Sequence, residues 1–204
     1  MINKLLRLLA LGVLFLNFAA VQAETASDWT ERIHKNGITV WTRKVEGYKV
    51  DSYRAQADLD FPIEVVFEYL TNLSRFPEWV QGQKEFEILK DEIGSGEYYV
   101  VISAPFSRDR DNVMSIESRL PGNDGTAFVE HRAIPGNRPL RRNTVRVTDY
   151  HETWNLIKLN DSRTRATLEV LFDPGGKPPV KVVNWLVAQG PYEVFTKMME
   201  NLRE

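Results

Sequence analysis

The sequence predicts an α+β domain in which a long antiparallel sheet curls around one C-terminal helix, and three observations carry that prediction. Between Glu85 and Phe172 the chain is a succession of β-type runs separated by short turn sequences, Gly94-Ser95-Gly96, Asn123-Asp124-Gly125, Gly136-Asn137 and Asn160-Asp161; strands joined in this way pair antiparallel. Helical periodicity flanks that block. A long amphipathic segment, Val180 to Arg203, closes the chain. A twisted sheet of about seven to nine strands curls, and one apolar helix can fill its concave side. The space left between them is the kind of concave apolar site that takes a small ligand.

In chain order, Ser27 or Asp28 caps a short helix with Trp29 and Ile33 on one face, stopped by Asn36-Gly37. Ile38 to Arg43 is a strand, and Glu46-Gly47 turns it into a second, Val50 to Leu59, with Tyr53, Ala55, Ala57 and Leu59 on one face. After Pro62, Ile63, Val66, Phe67 and Leu70 recur at helical spacing. Leu73 to Trp79, containing Pro77, is a short helical or turn piece. The strands that follow are Glu85–Leu89, Glu97–Ala104, Asn112–Leu120, Ala127–Ile134, a broken Thr144–Leu159 and Thr164–Phe172. The final helix carries Val183, Leu186, Val187, Val194, Met198 and Leu202 as its apolar stripe, and Gly190-Pro191 is expected to kink or split it.

Composition narrows the function classes. Of 204 residues, 26 are Lys or Arg and 28 Asp or Glu, a net charge of −2, so no nucleic-acid partner is expected. There is no cysteine, which removes disulfide scaffolds, thiolate nucleophiles, Cys-ligated zinc or iron–sulfur and cysteine-linked lipoproteins. Residues 1–23 have the form of a cleaved signal peptide: Lys4 and Arg7, an apolar stretch from Leu8 to Val21, and Val21-Gln22-Ala23 before Glu24. An uncleaved N-terminal anchor is the alternative, although the apolar stretch is short of the roughly 20 residues a span needs. Cleavage takes away two positive charges and no negative one, moving the net charge from −2 to −4. The expectation is an exported, periplasmic single domain over 24–204, a monomer.

Residues that carry chemistry are sparse. His34, His131 and His151 have no metal-binding spacing, and no G-x-S-x-G, P-loop or G-x-G-x-x-G occurs. No catalytic residue can be named, and neither a cofactor nor a metal is expected. Ser107-Arg108-Asp109-Arg110-Asp111 is either an exposed loop of alternating ion pairs or a place where one Arg–Asp pair turns inward to meet a ligand's polar group. Arg138, Arg141, Arg142 and Arg146 form either a solvated hairpin or a contact for anionic headgroups, with Arg138, Arg141 and Arg142 the candidates for membrane contact. Trp154 and Trp185 are core residues by default and lumen walls by the sharper reading.

Asp173-Pro174-Gly175-Gly176-Lys177-Pro178-Pro179, followed by Val182-Val183-Asn184-Trp185, resembles the strand-to-helix junction of START domains, the steroidogenic-regulatory-protein-related lipid-transfer family. Asp173, Gly176, Pro179 and Asn184 hold the family spacing, while Lys177 and Pro178 replace its usual aromatic and aliphatic residues. Pro105 with Arg110-Asp111-Asn112-Val113, Thr153-Trp154 and Phe76-Pro77-Glu78-Trp79 resemble further family segments. The Arg-Asp element is doubled here, and Arg110-Asp111 is the matching pair because a strand follows it directly. The resemblance implies a helix-grip fold enclosing a tunnel for one hydrophobic molecule such as a sterol or phospholipid. Arg110, Asp111, Tyr98, Trp154, Trp185 and Val187 are the cavity candidates. The expected role is a non-catalytic lipid binder or carrier with transient membrane contact, the kinked last helix hinging for loading. The alternatives are an enzyme acting on a hydrophobic substrate, marked by Tyr98 or Asp111 close to an arginine or histidine, and an envelope protein-interaction module.

Overall fold

A computed structural model describes residues 28–80, 82–104, 107–136 and 138–204. The expected signal peptide (1–23), Ser27, Pro105 and Asn137 lie outside the described residues. The strands are β1 (Thr30–Lys35), β2 (Ile38–Arg43), β3 (Ser52–Leu59), β4 (Gln83–Glu92), β5 (Ser95–Ile102), β6 (Asp109–Arg119), β7 (Thr126–Ala133), β8 (Thr144–Arg146), β9 (Asp149–Asn160) and β10 (Arg163–Asp173). The helices are α1 (Ile63–Thr71), α2 (Phe76–Trp79) and α3 (Val180–Asn201), with a 3-10 turn at Leu73–Arg75.

All ten strands belong to one sheet, in the order β1-β2-β3-β10-β9-β7-β6-β5-β4, with β8 attached to β6 off that path. Neighbours along the path are antiparallel. The attachment of β8 to β6 is parallel. The expected seven to nine strands thus become ten, chiefly because Thr30–Lys35 is an edge strand rather than a helix. Its only partly buried residue is Ile33, and one apolar position fits either periodicity. Pairing with β2 decides the matter, and Arg43 and Arg54 stack on the Trp29 ring at 4.4 and 4.6 Å.

After β3 the chain crosses the concave side through α1 and α2 to reach the far edge, β4. Then it returns strand by strand until β10 lies beside β3. α3 packs against β1, β2 and β3, and α1 against β7, β9 and β10. Val40, Ala55 and Leu59 from the sheet, Val66 from α1, and Phe195 and Met198 from α3 form the main core. α3 is not split at Gly190-Pro191. Proline there forfeits the hydrogen bond that the Val187 carbonyl would accept, and its buried ring packs on the helix's inner side.

Candidate functional site

Between the sheet and α3 lies a cavity of about 330 Å³. Strand alternation builds one wall. β5 contributes Tyr98, Val100 and Ile102, and β6 contributes Arg110, Asn112 and Met114. Helical spacing builds the other wall, from Val183, Leu186, Val187, Gly190, Pro191 and Val194. The lining at the β5–β6 connection and the first turn of α3, Ser103, Ser107, Pro179 and Val182, is partly or fully exposed and forms the mouth.

The mouth is held by Arg110, which is 9% exposed. Its Nε donates to the Pro174 carbonyl at 2.9 Å, Nη1 to Ser107 Oγ at 2.8 Å and to the Arg108 carbonyl, and Nη2 to the Gly175 carbonyl at 3.4 Å. Burial lowers the pKa of this guanidinium. The junction motif is a fastening for the same region. Asp173 Oδ1 accepts the Gly175 N–H at 2.9 Å, and Gly175 and Gly176 sit at φ +66° and +62°. Asn184 Oδ1 accepts the Asp51 N–H at 3.0 Å, tying α3 to the start of β3.

Asp111 does not accompany Arg110 into the cavity. Adjacent strand residues face opposite sides of a sheet, and Asp111 points to the outer face, fully buried there. Its Oδ2 accepts from Arg146 Nη2 at 2.8 Å, Arg146 Nε at 3.0 Å and Tyr99 Oη at 3.1 Å. Arg138 stacks on Tyr99 at 4.7 Å and pairs with Glu87, and Arg141 pairs with Glu85. These arginines therefore fasten the segment before β9 over the outer face of β5 and β6, where Tyr99, Val101 and Val113 form a small second core. Arg142 is exposed.

Trp154 takes its default place in the core and is not a wall of the lumen. It is fully buried behind the cavity, its ring 6.1 Å from Trp79 and 5.4 Å from Phe195. Trp185 is 63% exposed on the outer side of α3, because it falls between the inward positions Val183 and Leu186. Of the candidates, Arg110, Tyr98 and Val187 line the cavity; Asp111, Trp154 and Trp185 do not.

The interior also holds polar residues, of which Tyr98 close to a histidine was the expected mark of an enzyme, whereas Glu152 and His131 themselves were not among the candidates. Glu152, on β9 and 8% exposed, lines the cavity. Its Oε1 accepts from Trp154 Nε1 at 2.8 Å and its Oε2 from Tyr150 Oη at 2.6 Å. His131 is its cross-strand partner on β7, fully buried, with Nδ1 3.0 Å from Tyr98 Oη. His131 Nε2 has no hydrogen-bond partner among the described residues. Tyr53, on β3, also lines the cavity. Burial, and secondarily the Glu152 charge, raises the pKa of the Tyr53, Tyr98 and Tyr150 phenols. Burial lowers that of His131, so the imidazole is neutral. The alternation Tyr150, Glu152, Trp154 along one strand, and Ala127, Val129, His131 along another, was the signal that puts Glu152 and His131 on the inner face.

Residues 59–203 match the family model of polyketide cyclase / dehydrase and lipid transport proteins. An uncharacterized protein of Pseudomonas aeruginosa is 25% identical over 167 residues, covering 81% of this chain and 82% of that one. A STAR-related lipid transfer protein of Xanthomonas axonopodis superposes with TM-score 0.78 at 26% identity, covering 87% of this chain and 99% of that chain. Human StAR-related lipid transfer protein 5 gives TM-score 0.77 at 17% identity, covering 88% of each chain. A Streptomyces aromatase/cyclase gives 0.52 at 12%, covering 74% of this chain and 93% of that chain. With most of its length matched by the family model, and with this fold, the chain belongs to the START-like polyketide cyclase / dehydrase and lipid transport family.

Proposed function

We propose that this protein is an exported, non-catalytic binder or carrier of one hydrophobic molecule, lipid or sterol-like, held between the sheet and α3. The observation that carries this reading is the 330 Å³ cavity walled by aliphatic and aromatic side chains. Each methylene moved there from water contributes about 0.8 kcal/mol, so a long apolar chain binds without special chemistry. The lipid-transfer role named for the Xanthomonas relative supports it, and the signal-peptide pattern of residues 1–23 supports export. Loading takes place at the mouth. There exposed Trp185 and Val180 stand beside the exposed lysines Lys177 and Lys181, a combination suited to brief contact with an anionic membrane surface. Native mass spectrometry of full-length protein from its own compartment should reveal a co-purifying lipid. Protein that is empty, and that takes up no lipid from vesicles, refutes the reading.

The second reading, an enzyme acting on a hydrophobic substrate, draws support from the Tyr98–His131 pair beside Glu152. A buried phenol–imidazole pair is a means of proton transfer. A bound ligand recovered with altered mass, the alteration lost in Tyr98→Phe, would favour it over carriage.

A further inference from the structure

Glu152 limits what the cavity accepts. Its two hydrogen bonds come from neutral donors, Tyr150 and Trp154, and it forms no ion pair among the described residues. Arg110, a cation of the cavity lining, spends four of its five N–H donors at the mouth, on Ser107 and on the carbonyls of Arg108, Pro174 and Gly175. The other polar groups of the inner region include Tyr53 from β3, Tyr98 from β5, Asn112 from β6 and a neutral His131 from β7. None of them supplies a positive charge. Each carboxylate oxygen has two acceptor sites and uses one, so Glu152 can still accept a hydrogen bond on each oxygen, in a low-dielectric lumen where charge interactions are strong.

From this we infer that the ligand's inner end is a hydrogen-bond donor, a hydroxyl or a protonated amine, and that amphiphiles with an anionic end are rejected. A donor completes the solvation of the buried carboxylate. A ligand carboxylate would place two like charges together in an apolar space. The inference rests on the binding function proposed above, and gives that cavity a ligand class.

The test is displacement of the neutral dye Nile red from full-length protein by three chain-matched probes, hexadecylamine, hexadecanol and hexadecanoate. The amine and the alcohol should each displace the dye at concentrations about tenfold or more below the acid, the ratio that one charge-assisted hydrogen bond sustains. Comparing the two separates a preference for positive charge from one for any donor. In Glu152→Gln the ratio of acid to amine should collapse toward one. If hexadecanoate competes as well as the other two on the native protein, or the ratio survives in Glu152→Gln, the assignment to Glu152 is overturned while hydrophobic binding stands. If neither dye nor probes bind, both readings fall. Should Glu152→Gln not fold, the ranking on the native protein decides alone.

Discussion

Val187→Phe separates a ligand held inside the cavity from one held on the surface. Val187 is 6% exposed and lines the lumen from the middle of α3. Valine and phenylalanine have similar helix propensity, so the backbone is not penalised. A cavity of about 330 Å³ gives the ring room without forcing the core apart. The ring adds about four carbon atoms to a space the ligand would fill, displacing as many buried methylenes at about 0.8 kcal/mol each. The loss is about 3 kcal/mol, or about two orders of magnitude in affinity. Nile red titration with a parallel thermal melt measures both quantities. Val65→Phe serves as the control, since Val65 is 41% exposed on α1 and away from the lumen; it should bind as the native protein does. A Val187→Phe protein with native melting temperature and undiminished dye affinity would show that the ligand does not occupy this lumen.

Arg146→Met should cost about 3–5 kcal/mol in urea unfolding, because it strands the fully buried Asp111 carboxylate. The double variant with Asp111→Asn should recover much of that loss; failure to recover would contradict the pairing. Gly175→Ala should cost about 1–3 kcal/mol, since φ is +66° there and the new Cβ would lie 2.9 Å from Val145 Cγ1. A thermal melt checks that cost, and the rate of Nile red release, measured separately, should rise as the mouth opens more easily. Burial lowers the pKa of His131, so the unfolded chain takes up its proton first. Stability from this group is full above its ordinary value of 6.5 and is lost as pH falls below it. Chemical denaturation from pH 8 to 5 should show that slope, and His131→Gln should flatten it; an unchanged slope assigns the acid sensitivity elsewhere.

Much of the fold is legible along the chain because its signals are local. Period two marks β2, β3 and the strands from β4 to β10; the Ile63, Val66, Phe67, Leu70 spacing marks α1; turn residues mark the reversals. The junction motif was readable too, down to the glycines that hold φ above +60°. β1 was not readable, since an exposed edge strand with one half-buried residue carries no periodicity. Pro191 did not split α3, because the rule against helical proline weighs one lost hydrogen bond, whereas α3 is held by its whole buried stripe.

The candidate site was legible only in part, and the reason lies in the sheet. Arg110 and Asp111 read as one charged pair, although strand alternation sends neighbours to opposite faces; one holds the mouth, the other anchors an arginine on the outer side. Glu152 and His131 are 21 residues apart in sequence and become cross-strand neighbours only through the β7–β9 register. The sequence by itself determined the class of fold, the final helix and the apolar character of the space beneath it, since these follow from local periodicity and composition. The tertiary structure alone decided which polar groups face that space, because strand order and register are set by contacts distant in sequence.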